Sequence, residues 1–122
     1  MSAKSILIVD DNEKNLKLIR DILQFKGFVT LEAAEGETAV KMAMEAKPAL
    51  ILMDVQLPGM DGRAAMKQIK AGEHTRHIPI IALTALAMRG TKEELMADGF
   101  DDYISKPIEI KAVVELVQKY LS

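Results

Sequence analysis

The sequence predicts one α/β domain spanning residues 1–122, built as a doubly wound parallel sheet, and three observations predict it. Five short apolar runs alternate with amphipathic stretches, an order that right-handed crossovers turn into a parallel sheet with helices on both faces. The runs ILIV, LILM and IPIIAL do not alternate apolar with polar residues, as expected of central strands buried on both sides. The length, 122 residues, suits one core and leaves no room for a second.

The first strand is expected over Ile6–Val9. Leu16, Leu18, Ile19, Ile22 and Leu23 then recur at helical spacing, and Gly27 follows where a helix C-cap favours positive φ. A second strand is expected over Phe28–Leu31. Ala39, Val40, Ala43 and Met44 mark a helix that stops near Pro48, before the third strand at Leu50–Met53. Ala65, Met66 and Ile69 mark the next helix, ending near Gly72, and Pro79–Leu83 the fourth strand. Leu95 and Met96 mark a short helix ending at Gly99, and Asp102–Ile104 the fifth strand. Ile110, Val113, Val114, Val117 and Leu121 form one apolar stripe while Lys111, Glu115 and Lys119 face outward, which predicts a closing helix. The eight Met are scattered and read as gap-fillers in the core.

Composition excludes several function classes. With 49% hydrophobic and 28% charged residues the chain is an ordinary folded domain, neither disordered nor low-complexity. A net charge of −2 is too balanced for attraction to polyanions, so no nucleic-acid partner is expected. No apolar run approaches membrane-spanning length and the N-terminus lacks a signal-peptide h-region, so no membrane is expected either. The absence of Cys excludes disulfides and thiolate zinc sites and fits a reducing, cytoplasmic setting.

Ligands of open α/β sheets bind at the carboxyl ends of the strands, so the polar residues following each apolar run carry the chemistry. The first run ends in Asp10 and Asp11, the third in Asp54, the fourth in Thr84, and the fifth passes through Tyr103 to Lys106-Pro107. Three carboxylates sharing one edge resist joint ionisation unless a cation sits among them. An all-oxygen donor set without Cys or His favours Mg2+, with Mn2+ as the alternative, over zinc. A metal, a carboxylate, a lysine and a hydroxyl together suit phosphoryl transfer onto aspartate.

The motifs VDDN (Val9–Asn12), MDVQLPGMDG (Met53–Gly62), LTA (Leu83–Ala85) and YISKP (Tyr103–Pro107) resemble, in order and spacing, the receiver domains of two-component response regulators. The resemblance covers essentially the whole chain and implies a flavodoxin-like (βα)5 domain of strand order 2-1-3-4-5. Residue by residue it implies Asp54 as phosphoacceptor. Asp11, Asp54 and the backbone carbonyl of Gln56 would be direct magnesium ligands, with Asp10 acting through a water. Lys106 would contact the phosphoryl group, Thr84 would bond to it after transfer, and Tyr103 would be the aromatic switch that follows Thr84. A cis Lys106–Pro107 bond is implied as well. Gln56 and Leu86 occupy positions that in the family modulate hydrolysis of the phosphate, so its lifetime is open.

The implied partners are a sensor histidine kinase or a histidine phosphotransfer protein upstream and a protein target downstream. The sequence ends with the last helix, so output is expected by contact, through the fourth helix, fifth strand and fifth helix. Thr84 to Pro107 most resembles stand-alone receivers of the DivK type and receivers attached to hybrid kinases. Such a switch assists only its own phosphorylation and dephosphorylation and is not otherwise an enzyme.

Each residue alone has a plainer reading. Asp10-Asp11-Asn12 could cap the first helix, Asp54 could form an Asx turn and Thr84 could bond its own backbone, Tyr103 could pack, and Lys106 could be a solvated charge. Their coincidence at successive strand ends favours function. His74 and His77 sit in a loop bounded by Gly72 and Pro79, with no third ligand near, and are not read as a metal site. Lys92, Glu93, Glu94, Asp98, Asp101 and Asp102 are expected to be solvated. A magnesium-dependent phosphohydrolase is disfavoured because Gln56 stands where its general acid would be. A flavin or nucleotide carrier is disfavoured because acids replace the glycines of the first turn.

Overall fold

Apolar runs and amphipathic stretches become strands and helices in the expected alternation. The computed structural model of the protein describes residues 4–85 and 91–121. In chain order the elements are β1 (Ser5–Val9), α1 (Glu13–Phe25), β2 (Val29–Ala33), α2 (Gly36–Ala46), β3 (Leu50–Asp54), α3 (Gly62–Ala71), β4 (Ile80–Thr84), α4 (Thr91–Asp98), β5 (Asp102–Ser105) and α5 (Ile110–Leu121). The five strands make one parallel sheet in the order β2-β1-β3-β4-β5, the flavodoxin-like arrangement.

Alternation along each strand divides the core in two. Ile6, Ile8, Leu50, Leu52, Ile81 and Leu83 pack on one face with Leu16, Ile19 and Leu23 of α1 and Val113 and Val117 of α5. Leu7, Val9, Ile51, Met53, Ile80 and Ala82 pack on the other with Ala39 and Ala43 of α2, Met66 and Ile69 of α3 and Leu95 of α4. Both faces of β3 and β4 are covered, so every residue of these strands is buried. At about 25 cal/mol per Å2 of apolar surface, this burial is the main force opposing chain entropy. Met53 and Met66 are fully buried within it, as expected of core fillers.

The strand bounds shift by no more than one residue from expectation except at the end of β2, which runs two residues further for a physical reason. β2 is an edge strand and runs past Leu31 to Ala33, because Glu32 within it is neutralised by Arg20 of α1, 2.8 Å away. An ion pair of this kind hides the strand from an apolar pattern. Asp98 and Asp102, expected to be solvated, are instead half-buried and paired, and Asp101, exposed as expected, is paired as well. Asp98 meets Arg63 at 2.7 Å, Asp102 lies 3.2 Å from Lys119, and Asp101 accepts from Lys70 Nζ and the Ile80 N–H at 2.8 Å each. Lys92, Glu93 and Glu94 are exposed as expected. Gly27 has φ 93° just after α1, the left-handed conformation its position calls for.

The chain leaves β1 toward β2, then returns to place β3 on the other side of β1. That reversal opens a crevice at the carboxyl ends of β1 and β3, where doubly wound sheets bind ligands.

Candidate functional site

Asp10 follows β1, Asp54 and Thr84 are the last residues of β3 and β4, and Lys106 follows β5. Pairing in register brings these ends level, Asp54 opposite Leu83 and Thr84 opposite Ser105. Asp10 is wholly buried, with Asp54 3% and Thr84 5% exposed, while Asp11 is exposed.

Capping of α1 falls to Asn12, whose Oδ1 accepts from the N–H groups of Lys14 and Asn15 at 2.9 and 3.2 Å. The two preceding aspartates are therefore not spent on the helix. Asp10 Oδ1 accepts from the Asn12 N–H at 2.9 Å and Oδ2 from Asn15 Nδ2 at 3.2 Å. Its own N–H donates to the Ala33 carbonyl at 3.1 Å, so the edge strand helps place it. Asp54 Oδ1 accepts from the Gln56 N–H at 2.9 Å and Oδ2 from Lys106 Nζ at 2.8 Å. Lys106 Nζ is also 3.4 Å from Asp10 Oδ2. The Lys106 N–H donates to the Thr84 carbonyl at 2.7 Å, and the Lys106–Pro107 bond is cis, as expected.

One carboxylate oxygen from each of Asp10, Asp11 and Asp54 lies within 4.8 Å of the others, and no further group of metal-ligating type forms among the described residues. Burial first, and then the charge of Asp10, raises the pKa of Asp54 above the usual carboxylate range, although Lys106 and the Gln56 N–H pull it down. Burial works against the charge of Lys106, but Asp54 and Asp10 prevail and hold its pKa above the ordinary lysine value. The cluster could hold a divalent cation, and three hard oxygen donors without sulfur or imidazole fit magnesium.

A cleft of about 320 Å3 opens over these groups, lined by Asp54, Gln56, Thr84 and Lys106 together with Asp61, Arg63 and Glu94. Gly62 makes the floor possible, because a Cβ there would collide with the Asp54 carbonyl oxygen and sit 2.9 Å from Val55 Cα. Asp61 caps α3 through the Ala64 N–H at 2.9 Å.

The sequence-predicted residues do not all converge. Asp10, Asp11, Asp54 and Lys106 cluster, and Gln56 and Thr84 join them on the cleft wall. Tyr103 stays apart, packed against the α2, α3 and α4 side of the core and lining a separate cleft of about 420 Å3 with Pro107, Glu109, Ala112 and Leu116. Leu86 lies outside the described residues. His74 and His77 lie in turns. Asn15, Arg63 and Glu94 were not expected at the site. Arg63 carried a legible signal, since a basic residue in the first turn of a helix opposes the macrodipole.

Fold and site together define a flavodoxin-like domain with an acidic, cation-ready cleft at its topological switch point. The model of the response regulator receiver domain family matches residues 6–118, and the chain belongs to that family. The polar-differentiation response regulator DivK of Brucella ovis is 45% identical over 118 residues, covering 97% of this chain and 96% of its own. Among solved structures, the receiver domain of a Pseudomonas aeruginosa sensor histidine kinase, with a magnesium ion coordinated in its active-site cleft, is 36% identical. It has a TM-score of 0.89 and 98% of each chain covered. The chemotaxis response regulator CheY4 of Vibrio cholerae is 27% identical, with a TM-score of 0.92 and 98% and 100% covered. No helix among the described residues is long and apolar enough to cross a membrane.

Proposed function

We propose that residues 1–122 act as one receiver domain whose Asp54 accepts a phosphoryl group and thereby switches partner binding in a phosphorelay. The observation that carries this is a nine-tenths-buried carboxylate with one oxygen on Lys106 at 2.8 Å and two further aspartates within 4.8 Å. Asp54 Oδ attacks phosphorus, the bond to the donor histidine nitrogen breaks, and its electron pair stays on the imidazole, which takes up a proton from solvent. Lys106 holds the attacking carboxylate and meets the phosphoryl oxygens, and Thr84 bonds to them after transfer. Magnesium, or manganese in its place, would sit on Asp11, Asp54 and the Gln56 carbonyl, with Asp10 behind a water, and would neutralise charge on the phosphoryl oxygens.

The donor is a sensor histidine kinase or a histidine phosphotransfer protein, and a protein target reads the switch by contact, without nucleic acid or membrane. Likeness to a response regulator supports the signalling role, and the absence of Cys fits a cytoplasmic setting. Tyr103, half-buried beside the α4–β5–α5 surface, is the switch residue that changes position after Thr84 engages phosphate. No external substrate is turned over.

Acetyl phosphate tests this directly, since the same attack releases acetate. With magnesium, intact mass rises by one phosphoryl group, and Asp54→Ala is unmodified. Equal modification of Asp54→Ala refutes the assignment.

A further inference from the structure

Arg63 is the second residue of α3 and lines the cleft that contains Asp54, Thr84 and Lys106. Its Nε donates to Asp98 Oδ2 of α4 at 2.7 Å, across 35 residues of sequence, and the two side chains are 38% and 29% exposed. No other hydrogen bond engages the guanidinium among the described residues. An arginine carries five N–H groups in a fixed fork, so the two Nη groups keep their donors for something else. Lys106, the other base on the cleft wall, is already committed to Asp54 and Asp10. Asp61 and Glu94 add negative charge to the same wall, and without Arg63 that wall would repel a dianion.

We propose that Arg63, held by Asp98, is a second phosphate-recognising cation of the cleft beside Lys106: its Nη groups, unpartnered among the described residues, draw in the anionic phosphodonor before Asp54 attacks. The inference rests on Asp54 being the phosphoacceptor. A planar guanidinium suits phosphate oxygens because it offers two parallel donors. Asp98 engages the Nε edge of the fork and leaves the Nη groups without a partner among the described residues.

The test follows phosphorylation of the full chain by acetyl phosphate with magnesium at rising ionic strength. Arg63→Gln is expected to lower the apparent second-order rate about tenfold at low salt and to flatten its decline with salt. Arg63→Lys keeps the charge but loses the fork and is expected to restore only part of the parent rate. Asp98→Ala, which removes the same ion pair but leaves the guanidinium in place, is expected to stay within about threefold of the parent. A rate unchanged in Arg63→Gln overturns the proposal. So does equal slowing in Arg63→Gln and Asp98→Ala, which would make the pair only a brace between α3 and α4. A parent chain that takes no phosphoryl group overturns the assignment of Asp54 itself, and this inference with it.

Discussion

Replacing Lys106 by Met keeps the aliphatic stem and removes one positive charge from among the acids. Nζ lies 2.8 Å from Asp54 Oδ2 and 3.4 Å from Asp10 Oδ2. At an effective dielectric constant of about 20 these contacts are worth roughly 6 and 5 kcal/mol of gross attraction. Repulsion between two carboxylates with ligand atoms no more than 4.8 Å apart is then at least about 3.5 kcal/mol. Desolvation offsets most of the attraction, so the measurable quantity is the cost of leaving Asp10 and Asp54 without a counterion. Breaking a fully buried pair costs about 3–5 kcal/mol. The Lys106 side chain is 22% exposed, and screening reduces the expected loss to about 2 kcal/mol, or roughly 8 °C in Tm. Magnesium supplies the missing charge, so it should stabilise Lys106→Met more than the parent. Urea unfolding followed by circular dichroism, in chelator and in excess magnesium, measures both effects. A loss in chelator below about 0.5 kcal/mol, or equal gains from magnesium in the two chains, would refute the electrostatic reasoning.

Asp54 in the metal-free chain should titrate above its ordinary value of 3.8, and Asp10→Asn should move that midpoint down, because the negative charge of Asp10 helps to raise it. A raised folded pKa means that the native chain holds this proton more tightly than the unfolded one. The resulting stabilisation is complete below the unfolded value and is lost as pH rises through the folded one. Carboxyl-carbon NMR reads the midpoint, and an upward move in Asp10→Asn contradicts the charge assignment. Asn12→Ala removes the cap of α1 and should cost about 1 kcal/mol, seen as a lower midpoint of urea unfolding with an unchanged slope. Gly62→Ala drives a Cβ into the backbone of Asp54 and should destabilise the chain by about 3 kcal/mol. Wild-type stability in that variant would mean that α3 does not pack as closely on β3 as described.

Legibility in the sequence followed burial. β1, β3 and β4 are sheltered on both faces, and their runs of Ile, Leu, Val and Met announce them. β2, at the edge, has Val29 49% exposed and carries the ion-paired Glu32 just before its last residue, so apolar pattern alone places it too early. The site was readable because doubly wound sheets gather function at strand ends, and the residues after the apolar runs are few. What escaped were partners distant in sequence. Arg63 and Asp98 are 35 residues apart and Lys70 and Asp101 31 apart, and no local periodicity joins them. Asp101 looked like one more surface acid, yet it closes the Ile80 N–H at the start of β4. Tyr103 shows the converse limit: its place on β5 was legible, but its side chain packs outside the Asp54 cleft.

Isothermal calorimetry of magnesium binding bears most directly on whether the aspartates at the ends of β1 and β3 form one cation site. Asp11 is exposed, so Asp11→Asn should leave the fold intact while removing a ligand. One ion bound per parent chain, with binding abolished in Asp11→Asn at unchanged Tm in chelator, is the expected result. No heat of binding in the parent, or the same affinity in Asp11→Asn, would contradict it.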